Sequence, residues 1–161
     1  MTPILLSLGS NLDPERHLRA GVAALRDRFG SVTVSPFYRM QAVGFDGPDF
    51  LNAGALLHTD LDPRALDDWL HALEDRHGRD RSGPRFGNRT LDIDIVYYGD
   101  RISGPEARPR LPRPEVRHAF VLMPLAEIAP DFVDPVQGRT LRDLWRGHPQ
   151  FGQAFEGVFS A

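Results

Sequence analysis

The chain of 161 residues contains no cysteine, which excludes disulfides, thiolate nucleophiles and any zinc or iron–sulfur site built on sulfur ligands. It contains no lysine either: all 19 basic residues are arginine. A G-x-x-x-x-G-K-[ST] phosphate loop is therefore absent, and so are a G-x-G-x-x-G fingerprint and a nucleophile elbow, which excludes P-loop nucleotidases and protein kinases. The histidines at 17, 58, 71, 77, 118 and 148 form no H-x-x-x-H pair, so a zinc-hydrolase helix is not expected. No stretch approaches the roughly 20 apolar residues of a membrane span. The N-terminal MTPILLSLGSNL has no basic region before its short apolar run, unlike a signal peptide. The expectation is a cytoplasmic protein that touches no membrane, and a net charge of −3 argues against a general nucleic-acid binder.

What is present fits one globular domain over residues 1–161, since 41% of the residues are hydrophobic and can fill a core. The positive charge is unevenly placed. RHGRDRSGPRFGNR (76–89) holds five arginines against one aspartate, a local excess of four positive charges in an acidic chain. Gly83, Pro84 and Gly87 interleave with them and shape a loop able to fold over a ligand, although charge runs are commonly just solvated surface.

Hydrophobic periodicity predicts a strand at 4–8 and a helix opened by Asp13 and Pro14 that carries Leu18, Val22, Leu25 and Phe29 and stops at Gly30. Strands follow at 32–40, with Pro36 marking an edge or bulge, and at 50–59. Asp62-Pro63 opens a second helix with Leu66, Trp69, Leu70 and Leu73 on its buried side, ending at Gly78. After the arginine loop comes a strand at 89–98, then a turn at Gly99-Asp100 toward a short return strand near Arg101-Ile102. Residues 104–117 read as irregular, 119–129 as a helix begun or interrupted at Pro124, and 140–145 as a last helix capped by Thr140. The order strand, helix, strand, strand, helix, strand is that of a ferredoxin-like α+β sandwich, an antiparallel sheet with helices packed on one face and the other face free for ligands.

The last strand carries an anomaly. In RTLDIDIVYY (89–98), simple alternation puts Asp92 and Asp94 on one face with Val96 and Tyr98, and Leu91, Ile93, Ile95 and Tyr97 on the other. Two carboxylates among apolar neighbours are costly unless something positive meets them. A spacing of two along a strand suits a hard divalent cation such as Mg²⁺, which takes one or two protein carboxylates and completes its shell with water and phosphate oxygens. An outward strand face that happens to be acidic is the plainer alternative. An arginine loop feeding into such a pair has the parts phosphoryl transfer needs, cations on bridging oxygens and guanidinium groups on developing charge. On the strand at 50–59, Phe50 and Asn52 share a face; a ring beside a carboxamide can stack on a flat heterocycle and bond its edge, or can be a core phenylalanine beside a strand-bulging asparagine.

These residues lie in runs that resemble a known family. GSNL (9–12), YR…VGFDGPDFLNA (38–53), GRDR…RFGNRTLDIDI (78–95) and FVLMPLAEIAP (120–130) are similar, in the same order over nearly the whole chain, to the 6-hydroxymethyl-7,8-dihydropterin pyrophosphokinases of folate biosynthesis. RFGNRTLDID (85–94) meets their signature R-[FW]-G-x-R-x-[LI]-D-[LI]-D. The resemblance implies a ferredoxin-like fold, transfer of pyrophosphate from ATP to the pterin hydroxymethyl group with release of AMP, two Mg²⁺ ions, and a monomer with only small-molecule partners. By position it implies that Asp92 and Asp94 bind the metal ions and that Arg79 and Arg89 act on the transferred group. Glu74, Arg81, Ile95, Arg113 and His118 would lie toward ATP. Phe50 and Phe120 would sandwich the pterin, Asn52 would bond its edge, and Met40, Ala42 and Val43 would complete that pocket.

The chain departs from the family pattern at named places. Met40-Gln41-Ala42-Val43 stands where Thr-x-Pro-[LV] is usual, and Asn88 where a proline is. Arg113 in Leu111-Pro112-Arg113-Pro114 replaces a nucleotide-contacting histidine. His118 stands for a later arginine, with one residue deleted between. If His118 does that arginine's work, ATP binding should strengthen as pH falls through about 6.5. A diverged pterin-binding protein with altered phosphoryl transfer, and a ferredoxin-like RNA-binding module, are the competing readings.

Overall fold

The computed structural model describes residues 1–41, 46–78 and 88–161. Its strands are β1 (Thr2–Ser10), β2 (Thr33–Val34), β3 (Phe37–Met40), β4 (Phe50–Thr59), β5 (Asp92–Tyr98) and β6 (Glu156–Phe159), and its helices α1 (Pro14–Phe29), α2 (Pro63–Arg76), α3 (Ala119–Ile128) and α4 (Leu141–Arg146). The sheet runs β5-β1-β4-β3-β6, with β2 also on β4, and every pairing is antiparallel. All six elements of the expected ferredoxin-like order are in place, the third split into β2 and β3, and the α+β fold stands as expected.

Each helix end has a local cause. Asp62 Oδ1 accepts from Ala65 N at 2.9 Å and Thr140 Oγ1 from Asp143 N at 3.1 Å, both N-caps of the ordinary kind. Asp13 is different: it adopts a left-handed φ of 48°, makes no side-chain cap bond, and gives its carboxylate to Arg16 Nε at 2.6 Å. Gly30, at φ 82°, ends α1 where a side chain would be strained.

On one side of the sheet, Ile4, Leu6 and Leu8 of β1 and Leu51, Ala53, Ala55 and Leu57 of β4 pack against Leu18, Val22 and Leu25 of α1 and Leu66, Leu70 and Leu73 of α2. Each such leucine contributes about 1.5–3 kcal/mol by leaving water. The second face is not wholly free, contrary to expectation. Leu5, Val96 and Tyr97 lie there under Val121, Leu122 and Leu125 of α3 and Leu141. Helix α3 comes this close because Gly54 has no side chain: a Cβ there would sit 2.7 Å from Leu125 Cδ2 and 3.1 Å from Leu125 N. The same packing carries α3 straight through Pro124, where a break was expected. Proline leaves the Phe120 carbonyl without its usual i+4 donor, and tertiary burial of the apolar helix outweighs that loss.

Three further differences have physical reasons. The stretch 32–40 is two strands, split at Ser35-Pro36, where Ser35 bonds Gly54 twice, N to O at 2.9 Å and Gly54 N to Oγ at 3.0 Å. No return strand forms at Arg101-Ile102; Arg101 N closes a turn on Tyr98 O, and Ser103 pairs with Leu111. Simple alternation in β5 fails at a bulge, where Ile95 faces Leu6 and Tyr97 faces Leu5 with Val96 between. Beyond that bulge Tyr97 joins the α3 face and Tyr98 the α1/α2 face, the reverse of the expected assignment.

Near the end of α2, His17 Nδ1 and His77 Nδ1 meet at 2.8 Å, and Arg16 Nη2 lies 3.3 Å from His17 Nε2. One shared proton satisfies that contact; a second would set two N–H donors against each other. Burial and then Arg16 hold His17 below its ordinary pKa against the opposing pull of Asp13, and burial, then the His17 ring, Arg76 and Arg16 do the same for His77. A base depressed in the folded state leaves stability intact above about pH 6.5 and erodes it as pH falls below that. Denaturant unfolding should therefore show stability falling on acidification, and His77→Gln should flatten that slope; an unchanged slope would separate the pair from the effect.

Candidate active site

The site is set by strand register on the α3 face. Tyr38 lies across from Asn52, Asn52 across from Gly9, and Gly9 across from Asp92, in one row over four strands. The next row holds Gly54, Ser7 and Asp94. Asn52 and Asp92 are thus two strand spacings apart, about 10 Å, with only a glycine between. A Cβ at Gly9 would stand 2.9 Å from Asn52 Oδ1. The missing side chain leaves the sheet surface open as a floor and leaves the Asn52 amide where it is. Gly9→Ala should raise the KM for the heterocyclic substrate about tenfold, the worth of one displaced polar contact, with little change in melting temperature. An unaltered KM would remove Asn52 from the pocket.

Phe50 pairs with Met40, and both share the face of Asn52 by strand parity. Phe120, half-buried in the first turn of α3, packs against the second core cluster. The Tyr38 hydroxyl donates to Glu127 on α3, and burial, with Glu127 beside it, pushes its pKa up to about 12. It stays protonated and ties β3 to that helix. Ala42 and Val43, and the loop arginines Arg79 and Arg81, lie outside the described residues.

Asp92 and Asp94 are both half-buried. Arg113 Nη2 lies 3.6 Å from Asp94 Oδ1, and its Nε 3.1 Å from Glu115 Oε2. Burial opposes its charge, but Asp94, Glu115, Asp92 and Asp67 together outweigh it and hold the guanidinium above its ordinary pKa. The expected cation opposite the carboxylate pair thus includes one from the chain itself.

Glu74 is 2% exposed, and its Oε2 accepts from Ile93 N at 2.8 Å. Ile93 lies between the two aspartates on an edge strand, so Glu74 satisfies an N–H that the sheet leaves over and fixes the backbone from which both carboxylates project. Through this bond it is a buried tie between α2 and β5. Ile95 is 1% exposed with its side chain in the α1/α2 core, so only its backbone remains for a nucleotide.

His118 stacks on Phe120 with centroids 5.2 Å apart and planes 10° from parallel. Burial and then Arg117 depress its pKa below the ordinary value. That direction opposes the charged form that an arginine surrogate would use.

Arg89 precedes β5 instead of belonging to it, because its backbone pairs elsewhere. Asn11 N and Leu12 N donate to Arg89 O at 3.0 and 3.2 Å, and Arg89 N donates to Asn11 Oδ1 at 2.8 Å. Asn11 Nδ2 also reaches Pro48 O at 3.1 Å and Asn88 Oδ1 at 2.9 Å. This 3%-exposed side chain therefore holds together the segment before Phe50 and the segment before Asp92. Sequence reasoning missed it, since an asparagine after Gly-Ser reads as a turn former; the only signal was its place in the GSNL run.

Among the described residues no group of three or more histidine and carboxylate side chains could hold a metal ion. Two adjacent carboxylates are nevertheless the donor set Mg²⁺ accepts when substrate phosphates supply the rest, and Asp92 and Asp94 fit it.

A carboxylate pair flanked by arginine, with a ring and an amide along the same face of a ferredoxin-like sheet, is an arrangement suited to a phosphotransferase acting on a flat heterocycle. The comparisons with known proteins narrow this. Residues 5–130 match the family of 7,8-dihydro-6-hydroxymethylpterin-pyrophosphokinase (HPPK), and the chain belongs to that family. Relatives named 2-amino-4-hydroxy-6-hydroxymethyldihydropteridine pyrophosphokinase include those of Synechocystis (39% identical over 87% of this chain and 73% of theirs) and Haemophilus influenzae (40%, over 84% and 86%). The Pseudomonas aeruginosa protein is 39% identical over 96% of this chain and 94% of its own. A crystal structure of Plasmodium falciparum HPPK-DHPS matches the fold with a TM-score of 0.66 at 13% identity, over 90% of this chain. The chain spans 44% of that larger protein.

Proposed function

We infer that the chain, acting as a single-domain monomer in the cytoplasm, transfers the pyrophosphoryl group of ATP to the hydroxymethyl oxygen of 6-hydroxymethyl-7,8-dihydropterin, releasing AMP, in folate biosynthesis. The observation that carries the reading is the row that sets Asn52 and Asp92 on either side of Gly9, so that acceptor and phosphate chain share one floor. No helix among the described residues is long and apolar enough to cross a membrane.

Asp92 and Asp94 would hold Mg²⁺, two ions by the family pattern, and bound metal would neutralise phosphate oxygens as charge shifts toward AMP. Phe50 and Phe120 would grip the two faces of the pterin and Asn52 its edge, with Met40, Ala42 and Val43 as the wall. That aims the hydroxymethyl oxygen at the β-phosphorus for in-line attack, a gain of orientation rather than of covalent chemistry. Arg79 and Arg89 would stabilise charge on the transferred group, and Arg81 and Arg113 would engage the nucleotide phosphates. Glu74 serves the site indirectly, by fixing β5. The test is chromatographic: AMP should form from ATP and Mg²⁺ only when the pterin is present, and disappear with chelator. AMP independent of pterin would contradict the reading.

A further inference from the structure

The guanidinium of Arg113 belongs to the carboxylate pair as much as to any nucleotide. Its backbone N donates to Val96 O at 2.9 Å, which anchors it beside the β5 bulge. Its Nη2 stands 3.6 Å from Asp94 Oδ1, on a carboxylate that would hold a metal, and its Nε 3.1 Å from Glu115 Oε2. Neither contact has hydrogen-bond alignment: 3.6 Å is beyond that range, and Glu115 Oε2 makes no hydrogen bond. The fork is therefore held by charge while its N–H donors remain available to an incoming anion. A neutral side chain at this position would leave Asp94 more attractive to a free cation. A permanent cation competes with it.

We propose that Arg113 is a built-in counter-ion of Asp94 that suppresses binding of free divalent cation, and passes to a nucleotide phosphate when metal and nucleotide arrive together. Metal binding then depends on nucleotide. The inference rests on the assignment of Asp92 and Asp94 to metal. The exchange needs no covalent bond to form or break: Arg113 would give up one anion and gain another, and Asp94 would take the metal in its place.

The test uses Mn²⁺ as the probe, followed by its spin-resonance signal, with and without a non-hydrolysable ATP analogue, on wild type, Arg113→Gln and Arg113→Lys. Without nucleotide, Arg113→Gln should bind Mn²⁺ about tenfold more tightly than wild type, the order expected for a partly exposed ion pair removed. Arg113→Lys, which keeps the charge, should stay near wild type. With the analogue present, Arg113→Gln should lose its advantage, because wild type gains the phosphate contact and the variant does not. Equal Mn²⁺ affinity in wild type and Arg113→Gln, with nucleotide-dependent Mn²⁺ binding intact in both, overturns the counter-ion proposal and leaves the metal assignment standing. No Mn²⁺ binding in any protein, even with the analogue, overturns both. Lys and Gln are both tolerated at a one-third-exposed position, and a melting curve for each variant establishes that it is folded.

Discussion

Alanine at Asp92 or at Asp94 is expected to lower kcat by about 10³-fold or more, since a bound metal is worth several kcal/mol to the transition state and each 1.36 kcal/mol is tenfold. Both side chains are half-buried and project from the face of an edge strand whose backbone Glu74 fixes independently. Neither belongs to a core cluster. The fold should therefore survive, and circular dichroism melts of both variants should stay close to wild type while product formation collapses. The two losses are not equivalent. Asp94→Ala also leaves Arg113 to Glu115, so it should disturb nucleotide affinity as well as turnover, whereas Asp92→Ala should act mainly on turnover. Near-normal rates in either variant would sink the metal assignment.

The second large effect is expected at Asn11. Asn11→Ala leaves Arg89 N without its acceptor and Pro48 O and Asn88 Oδ1 without their donor, which should cost about 2–4 kcal/mol, as a few hydrogen bonds in a buried site do. It should also lower kcat/KM about 100-fold, because misplacement by about 1 Å has that effect on an oriented reaction. Asn11→Asp separates the two roles. It keeps an acceptor for Arg89 N and turns the donor side into a repulsion against Pro48 O, while the exposed Asn88 amide can turn to donate to the new carboxylate. Its loss should fall mostly on pterin KM, through the segment leading to Phe50, with the Arg89 side nearly intact. Urea unfolding and steady-state kinetics on both variants check this; identical kinetic profiles would show that Asn11 does not serve the two segments separately.

Much of this molecule is legible in its sequence, for reasons that are local. Leu18, Val22 and Leu25 in α1 and Leu66, Leu70 and Leu73 in α2 announce their helices by spacing, and all lie in one core cluster. Asp62 and Thr140 announce caps that the structure contains. What was not legible depends on partners far along the chain. The bulge in β5 exists because Ile95 and Tyr97 face consecutive residues of β1, and nothing in DIDIVYY reveals which residue goes unpaired. Strand β6 is four residues, EGVF, held by pairing with β3 and by Phe159 stacked on Phe37 at 4.6 Å. So short a segment carries no periodic signal. Helix α3 ignores Pro124 because Gly54, on another element, lets it sit down on the sheet.

The site shows the same division. Asp92 and Asp94 were visible because carboxylates in an apolar strand demand a physical reason. Asn52 and Phe50 were visible as a ring and an amide on one strand face. That Gly9 lies between Asn52 and Asp92 required the register of three strands. Glu74 was named only through the family resemblance, and its bond to Ile93 N became visible only with the edge position of β5. His118 stands where the family pattern has an arginine; that its ring stacks on Phe120, and that burial and Arg117 lower its pKa, needed the folded chain.

The most direct measurement is mass spectrometry of the products formed from ATP, Mg²⁺ and 6-hydroxymethyl-7,8-dihydropterin by the wild-type chain. One AMP should appear for each diphosphorylated pterin, with no ADP and no monophosphorylated pterin. ADP with pterin monophosphate, or AMP unaccompanied by pterin diphosphate, would contradict a single pyrophosphoryl transfer across the floor between Asp92 and Asn52.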